Sequence, residues 1–232
     1  MVLKPNVRSI ERQSPRRARR RDARRDDILR AAGRMFRERG FADTGMRDIA
    51  GAADLSAANL YHYFRGKDEI LFYCQDRALD RMLAAVAARS GPRTRPALRL
   101  HAVLTAHVRT LLDEVEGATA HLQIESLPPA LRARIVRKRD RYEHAVRRLI
   151  ADGVGAGEFV AADPALVTRA MLGALNWTVT WFRPDAPQDA ETVSRGVVDF
   201  LLRGIVTRSA ARAARVLRLS RPGRRTSRDA VN

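Results

Sequence analysis

The sequence predicts an all-α protein of about nine helices, with a small N-terminal bundle and a larger C-terminal one. Apolar residues recur at spacings of three and four along most of the chain, and no segment sustains the every-second-residue alternation of a half-buried strand. The gaps between these stripes hold the residues that start and stop helices: Ser, Thr or Asp before them, Pro at first positions, Gly after them. With 232 residues and 45% apolar side chains, the chain can bury a core without covalent staples. Its single cysteine, Cys74, rules out an intramolecular disulfide and fits a reducing compartment.

The first stripe starts at Asp26. Ile28, Leu29, Ala32, Met35 and Phe36 share a face. Asp26 and Asp27 lie in the first turn and Arg37 and Arg39 in the last, as the helix dipole prefers, and Gly40 closes the helix. Thr44 is placed to cap a short second helix whose Ile49 and Ala50 point inward. A turn over 51–54 follows. Ser56 then caps a third helix, on which Leu60 and Phe64 share the buried face at i, i+4. Gly66 breaks the chain before a long helix from Lys67 to Ala88, with Ile70, Leu71, Cys74, Leu79, Met82, Leu83 and Val86 as its apolar positions. The run SGPRTRP (90–96) reads as a linker. Beyond it, helices are expected over 97–116, 118–127, 129–151, 164–182 and 190–208. Pro129 and Pro164 mark starts, and Gly153, Gly155 and Gly157 mark an ending.

The net charge of +18 is concentrated at the ends. Residues 1–25 carry ten Lys/Arg against two acids, and residues 203–232 carry nine arginines against one acid. The expected layout is a disordered basic arm over 1–24, a helix-turn-helix domain over 25–70, a helical ligand-binding and dimerisation domain over 71–208, and a disordered basic tail over 209–232. The two ends are either solubilising extensions or phosphate-seeking arms. The N-terminus is arginine-rich without the apolar stretch of a signal peptide, and no run approaches the roughly 20 apolar residues that span a bilayer. A cytoplasmic location is expected.

A helix that enters a DNA major groove must be short, capped and armed on one face. The third helix meets those demands. Leu60 and Phe64 anchor it, which leaves Ala57, Ala58, Asn59, Tyr61 and Tyr63 outward or sideways. Asn59 suits an adenine edge or a phosphate, and the alanines allow close approach to a thymine methyl. The hydroxyls of Tyr61, Tyr63 and Thr44 and the Arg47 guanidinium suit phosphate oxygens. Lys67 opens the next helix, where its ammonium and the free backbone N–H groups can hold a phosphate. Packing is the alternative for the aromatic run, above all for His62. Residues 26–70 hold seven Lys/Arg against eight Asp/Glu, so general attraction to DNA has to come largely from the tails.

Residues 26–71 resemble the DNA-binding domain of the TetR family of one-component transcriptional repressors, through FRERGFADTGMRDIA and then LYHYFRGKDEIL. The resemblance implies a homodimer on double-stranded DNA with a palindromic operator, and a C-terminal domain that binds a small-molecule effector. It also sets Thr44, Arg47, Ala57, Ala58, Asn59, Tyr61, Tyr63 and Lys67 at positions that usually contact DNA, and leaves His62 off that face.

In the C-terminal half, MLGALNWTVTWFRP (171–184) carries both tryptophans, Trp177 and Trp181, at i, i+4, with Asn176 in an otherwise apolar helix. That helix is either a core or dimer-interface element, or a ligand wall lined by Trp177. This run and residues 118–142 resemble the domains of family members that respond to acyl-CoA thioesters. A CoA effector needs cations, which Arg134, Arg137, Lys138, Arg139 and Arg141 supply; a solvated helix face is the alternative. His121, Gln123, Glu125 and Asn176 are candidate polar contacts for the effector, with Trp177 and Trp181 as apolar ones. A stripe of Val197, Val198, Leu201, Leu202 and Ile205 suits dimerisation together with the 164–182 helix.

Rival classes are an enzyme and a sequence-indifferent nucleic-acid-binding protein. The chain has no G-x-S-x-G, no phosphate-binding glycine loop and no Cys/His metal spacing, so no cofactor, metal or catalytic residue is expected. His121 and Glu125 at i, i+4 could act as acid and base, but a surface or pocket pair is the simpler account.

Overall fold

In a computed structural model, residues 15–88, 94–112 and 123–209 are described. Eight α-helices are found among them: α1 (Pro15–Arg39), α2 (Met46–Ala52), α3 (Ala57–Tyr61), α4 (Lys67–Ala88), α5 (Pro96–Leu112), α6 (Pro129–Gly155), α7 (Pro164–Trp181) and α8 (Ala190–Arg203). A 3-10 turn at Ile124–Ser126 stands where the sequence suggested the end of a helix over 118–127; the rest of that span lies outside the described residues. The described residues form no strand. The nearest thing is one antiparallel bridge between Phe159 and Val206.

Contacts divide the described residues between two compact units. The first draws on Met1–Cys74 and Glu114–Pro128, the second on Gln75–Asp113 and Pro129–Asn232. The boundary falls at Cys74 rather than at residue 70, and α4 contributes to both units.

The first unit is built on Ile28, Leu29, Ala32 and Phe36 of α1, Ile49 of α2, Leu60 and Phe64 around α3, and Ile70 and Leu71 of α4, all buried. Phe36 and Phe41 meet with ring centroids 5.2 Å apart. Gly40 ends α1 in the left-handed region at φ +82°, with its N–H donating to the Phe36 carbonyl at 3.0 Å. α1 starts earlier than its sequence predicts: Asp26 is the expected first turn, with 1–24 disordered, but the helix begins at Pro15. Pro is well suited to a first helical position, and the arginines after it are good helix formers. The apolar stripe that locates helices by pattern is simply missing from this part.

The second unit packs α5 against α6, α7 and α8. Leu100, Val103, Leu104 and Val108 of α5 meet a buried set that includes Ile135, Val146 and Ile150 of α6, Leu175 of α7 and Val198 of α8. Asp163 and Asp189 cap α7 and α8, accepting from Ala165 N at 2.9 Å and Thr192 N at 2.7 Å. The bonds from Thr192 hold the Asp189 carboxyl below its usual range. α6 runs past Gly153 to Gly155, and at Gly153 the Phe159 ring occupies the space a Cβ would take. Gly157 then turns the chain at φ +68°.

Candidate nucleic-acid interface

The short helix α3 is held from below and capped at its start. Leu60 and Phe64 are buried, and the Ser56 hydroxyl oxygen accepts from Asn59 N at 3.2 Å. Ala58, Asn59, Tyr61 and His62 are exposed, while Ala57 and Tyr63 are half-buried. His62 is therefore not packed, contrary to the simpler expectation for it. The turn before α3 passes through Asp54 at φ +50°, a conformation that Asp tolerates better than most residues.

Two of the expected phosphate ligands are engaged elsewhere. Thr44 is 0% exposed, and its hydroxyl donates to the carbonyl of Gly40 at 2.7 Å and lies 3.3 Å from that of Met35. It caps the C-terminal end of α1 rather than the start of α2. The start of α2 is held by Asp48, whose carboxylate accepts from Gly45 N at 2.8 Å. The Lys67 ammonium donates to three carbonyls, of Phe41 at 2.9 Å, Ala42 at 3.1 Å and Thr44 at 3.1 Å, and sits 4.6 Å from the centroid of the Phe41 ring. Its three protons are thereby used within the fold. Arg47, by contrast, is exposed on α2.

Sequence reasoning missed the two residues that dock the front of α1. Arg24 Nη2 donates to the carbonyls of Ala53 and Asp54, both at 3.1 Å. The Arg25 guanidinium lies 5.0 Å from the Phe64 ring centroid and 4.6 Å from that of Tyr73. Their spacing from Ile28, at i−4 and i−3, was the available signal.

In the second unit, one buried polar chain crosses three helices. His107 of α5, only 2% exposed, has Nε2 at 3.0 Å from Asn176 Oδ1 on α7 and Nδ1 at 3.2 Å from the Tyr142 hydroxyl on α6. With the amide oxygen facing it, Nε2 donates, so Nδ1 accepts from Tyr142. Burial lowers the His107 pKa to about 4, against a smaller opposing effect of the Asn176 bond, and burial also raises that of the Tyr142 phenol. Of the five suggested effector contacts that are described, only Asn176 joins this chain. Gln123 is half-buried and Glu125 exposed, both in the first unit, and His121 lies outside the described residues. Trp177 and Trp181 face outward, 64% and 46% exposed, so they do not wall an interior pocket of this protomer. The cation run on α6 is also partly committed. Lys138 pairs with Asp76 at 2.6 Å and Asp80 at 2.8 Å, and Arg139 donates to Gln75 Oε1 at 3.2 Å. No cluster of metal-ligating side chains occurs among the described residues, and no described helix is long and apolar enough to cross a membrane.

Residues 28–74 match the family described as bacterial regulatory proteins, tetR family, and residues 93–205 match the tetracyclin repressor-like C-terminal domain. The solved TetR regulator PfmR of Thermus thermophilus is 38% identical, with a TM-score of 0.69 over 76% of this chain and 97% of its own. The chain belongs to the TetR family. Members are DNA-binding, ligand-responsive transcriptional regulators that act as dimers, and this TetR protein shares that function. It is 26% identical to the transcriptional repressor KstR2 of Mycolicibacterium smegmatis over 193 residues, covering 79% of this chain and 91% of the relative. It is also 26% identical to AibR, solved with isovaleryl coenzyme A and operator DNA, with a TM-score of 0.64 over 77% of this chain and 98% of AibR.

Proposed function

We propose that the protein is a cytoplasmic, non-enzymatic repressor that holds a palindromic operator as a homodimer and releases it when an acyl-CoA thioester binds the second unit. The observation that carries this reading is α3: five residues, capped by Ser56, seated on Leu60 and Phe64, with Ala58, Asn59 and Tyr61 free on its outer face. Asn59 reads a base edge, while Tyr61, Tyr63 and Arg47 take phosphates. Thr44 and Lys67 act one step back, by fixing the α1–α2 connection.

The thioester class rests on AibR and its bound isovaleryl coenzyme A. Asn176 and its partners His107 and Tyr142 are the interior polar groups that suit a thioester carbonyl. Trp177 and Trp181 take a different role, at the dimer interface. With Leu166 they fall within about 60° on α7, at 3.6 residues per turn, and Phe200 of α8 is 75% exposed as well. Apolar exposure on this scale marks an association surface.

The switch is a two-state dimer whose recognition helices match successive groove faces, about 34 Å apart or a multiple, in one state only. The test is to select duplexes from a random pool with the full-length protein, then titrate short and long acyl-CoAs against free and DNA-bound dimer. Operator must weaken thioester binding by the same factor by which thioester weakens operator binding. Lack of any enriched inverted repeat, or equal thioester affinity for both forms, would refute the reading. Release of free CoA thiol on incubation would point to an enzyme instead.

A further inference from the structure

The helix-turn-helix body is not basic. Residues 26–70 hold seven Lys/Arg and eight Asp/Glu, whereas residues 15–25 hold seven arginines and one aspartate. Those arginines lie in a regular helix continuous with the core-forming part of α1, and the helix has a fixed rotational setting. Arg24 is tied to the Ala53 and Asp54 carbonyls, Arg25 lies against Phe64 and Tyr73, and Ile28 is buried. One and two turns further out on the same face stand Arg17, Arg20 and Arg21, all exposed. They form one wall of a cleft of about 510 Å³ whose opposite wall is Asn59, His62 and Tyr63. Three cations therefore face the donor groups at the end of the reading helix across an open channel.

We propose that this cleft is a second DNA site, which grips the sugar–phosphate strand bordering the groove that α3 enters. Guanidinium groups match phosphate oxygens in charge and in bidentate geometry. The opposite wall adds the imidazole of His62 and the Tyr63 hydroxyl, which can bond to phosphate or sugar oxygens, beside the apolar Leu55; Asn59, at its rim, is left to its base edge. The site reads no base. It sets the register of α3 by clasping the backbone from the other side, and it supplies the attraction that the body lacks. The inference rests on the operator-binding reading above and assigns that reading a second set of DNA contacts.

The test uses the full-length protein and the duplex that it selects from a random pool. A triple variant, Arg17→Gln, Arg20→Gln and Arg21→Gln, removes charge while keeping good helix formers. The slope of log affinity against log salt is expected to fall by roughly 2–5 for the dimer, at about 0.9 for each phosphate left without its cation, with the selected sequence unchanged. The matching Arg→Lys triple is expected to retain most of the slope. Circular dichroism confirms that each variant is folded. A double-mutant cycle between Arg20→Gln and His62→Ala then tests whether the two walls share one strand. Their combined loss should fall short of the product of the single losses by about threefold or more. An unchanged salt slope in the Gln triple overturns the proposal, and so does a cycle that is simply multiplicative, since that would mean diffuse charge rather than a clasp. If the wild-type protein selects no inverted repeat at all, it is the operator reading that fails, and the two failures are thereby told apart.

Discussion

His107 should make the protein acid-sensitive in a calculable way. Its ring is buried between Asn176 and Tyr142, and its pKa falls from the ordinary 6.5 to about 4. Below pH 6.5 the unfolded chain takes up a proton that the folded protein refuses, so stability falls as pH falls. The contribution is complete above about pH 6.5, erodes down to about pH 4 and changes no further below that. The shift corresponds to about 3 kcal/mol in all, of which about 2 kcal/mol is lost between pH 7.5 and pH 5. The assay is urea unfolding followed by far-ultraviolet circular dichroism at one protomer concentration, across that pH range, for the wild type and His107→Gln. Glutamine keeps a donor and an acceptor but does not titrate. The variant should be less stable at pH 7.5 and should lose about 2 kcal/mol less than the wild type on acidification. Subtraction removes the contributions of every titrating group that both proteins share. Parallel pH profiles would refute the reasoning, since His107 would then titrate alike in both states.

Three other outcomes follow from the packing. Gly153→Ala should cost about 1–3 kcal/mol in thermal or urea unfolding, because a Cβ there would lie inside contact distance of the Phe159 ring, and Phe159→Leu in the same chain should recover part of it. Lys67→Met should lower stability by about 1–3 kcal/mol, since three carbonyls lose their donor; an unchanged unfolding midpoint with weakened DNA binding would instead return Lys67 to a phosphate. Trp177→Glu combined with Phe200→Glu should give monomers by sedimentation, with the helical circular dichroism signal kept; a surviving dimer would move the association surface elsewhere.

Much of this architecture was legible because amphipathic helices announce themselves. The stripes of α5, α6, α7 and α8, the caps Gly40 and Ser56 and the start at Pro164 follow from spacing and turn chemistry alone. The front of α1 was hidden for the same reason: it packs through arginines, and a cationic helix with no apolar stripe reads as a tail. The outer face of α3 could be deduced from the two anchors Leu60 and Phe64. The engagement of Thr44 and Lys67 could not, because their carbonyl partners carry no side-chain signature. The partners of His107 were not legible because a histidine within an apolar stripe looks the same whether its ring meets solvent or a buried phenol.

The chain's two indoles share one outward stripe on α7, and neither is part of the core. With that stripe in the proposed dimer interface, their emission should respond when subunits separate, and only weakly when a folded subunit melts. An experimenter who follows intrinsic fluorescence during dilution would be watching the partner leave.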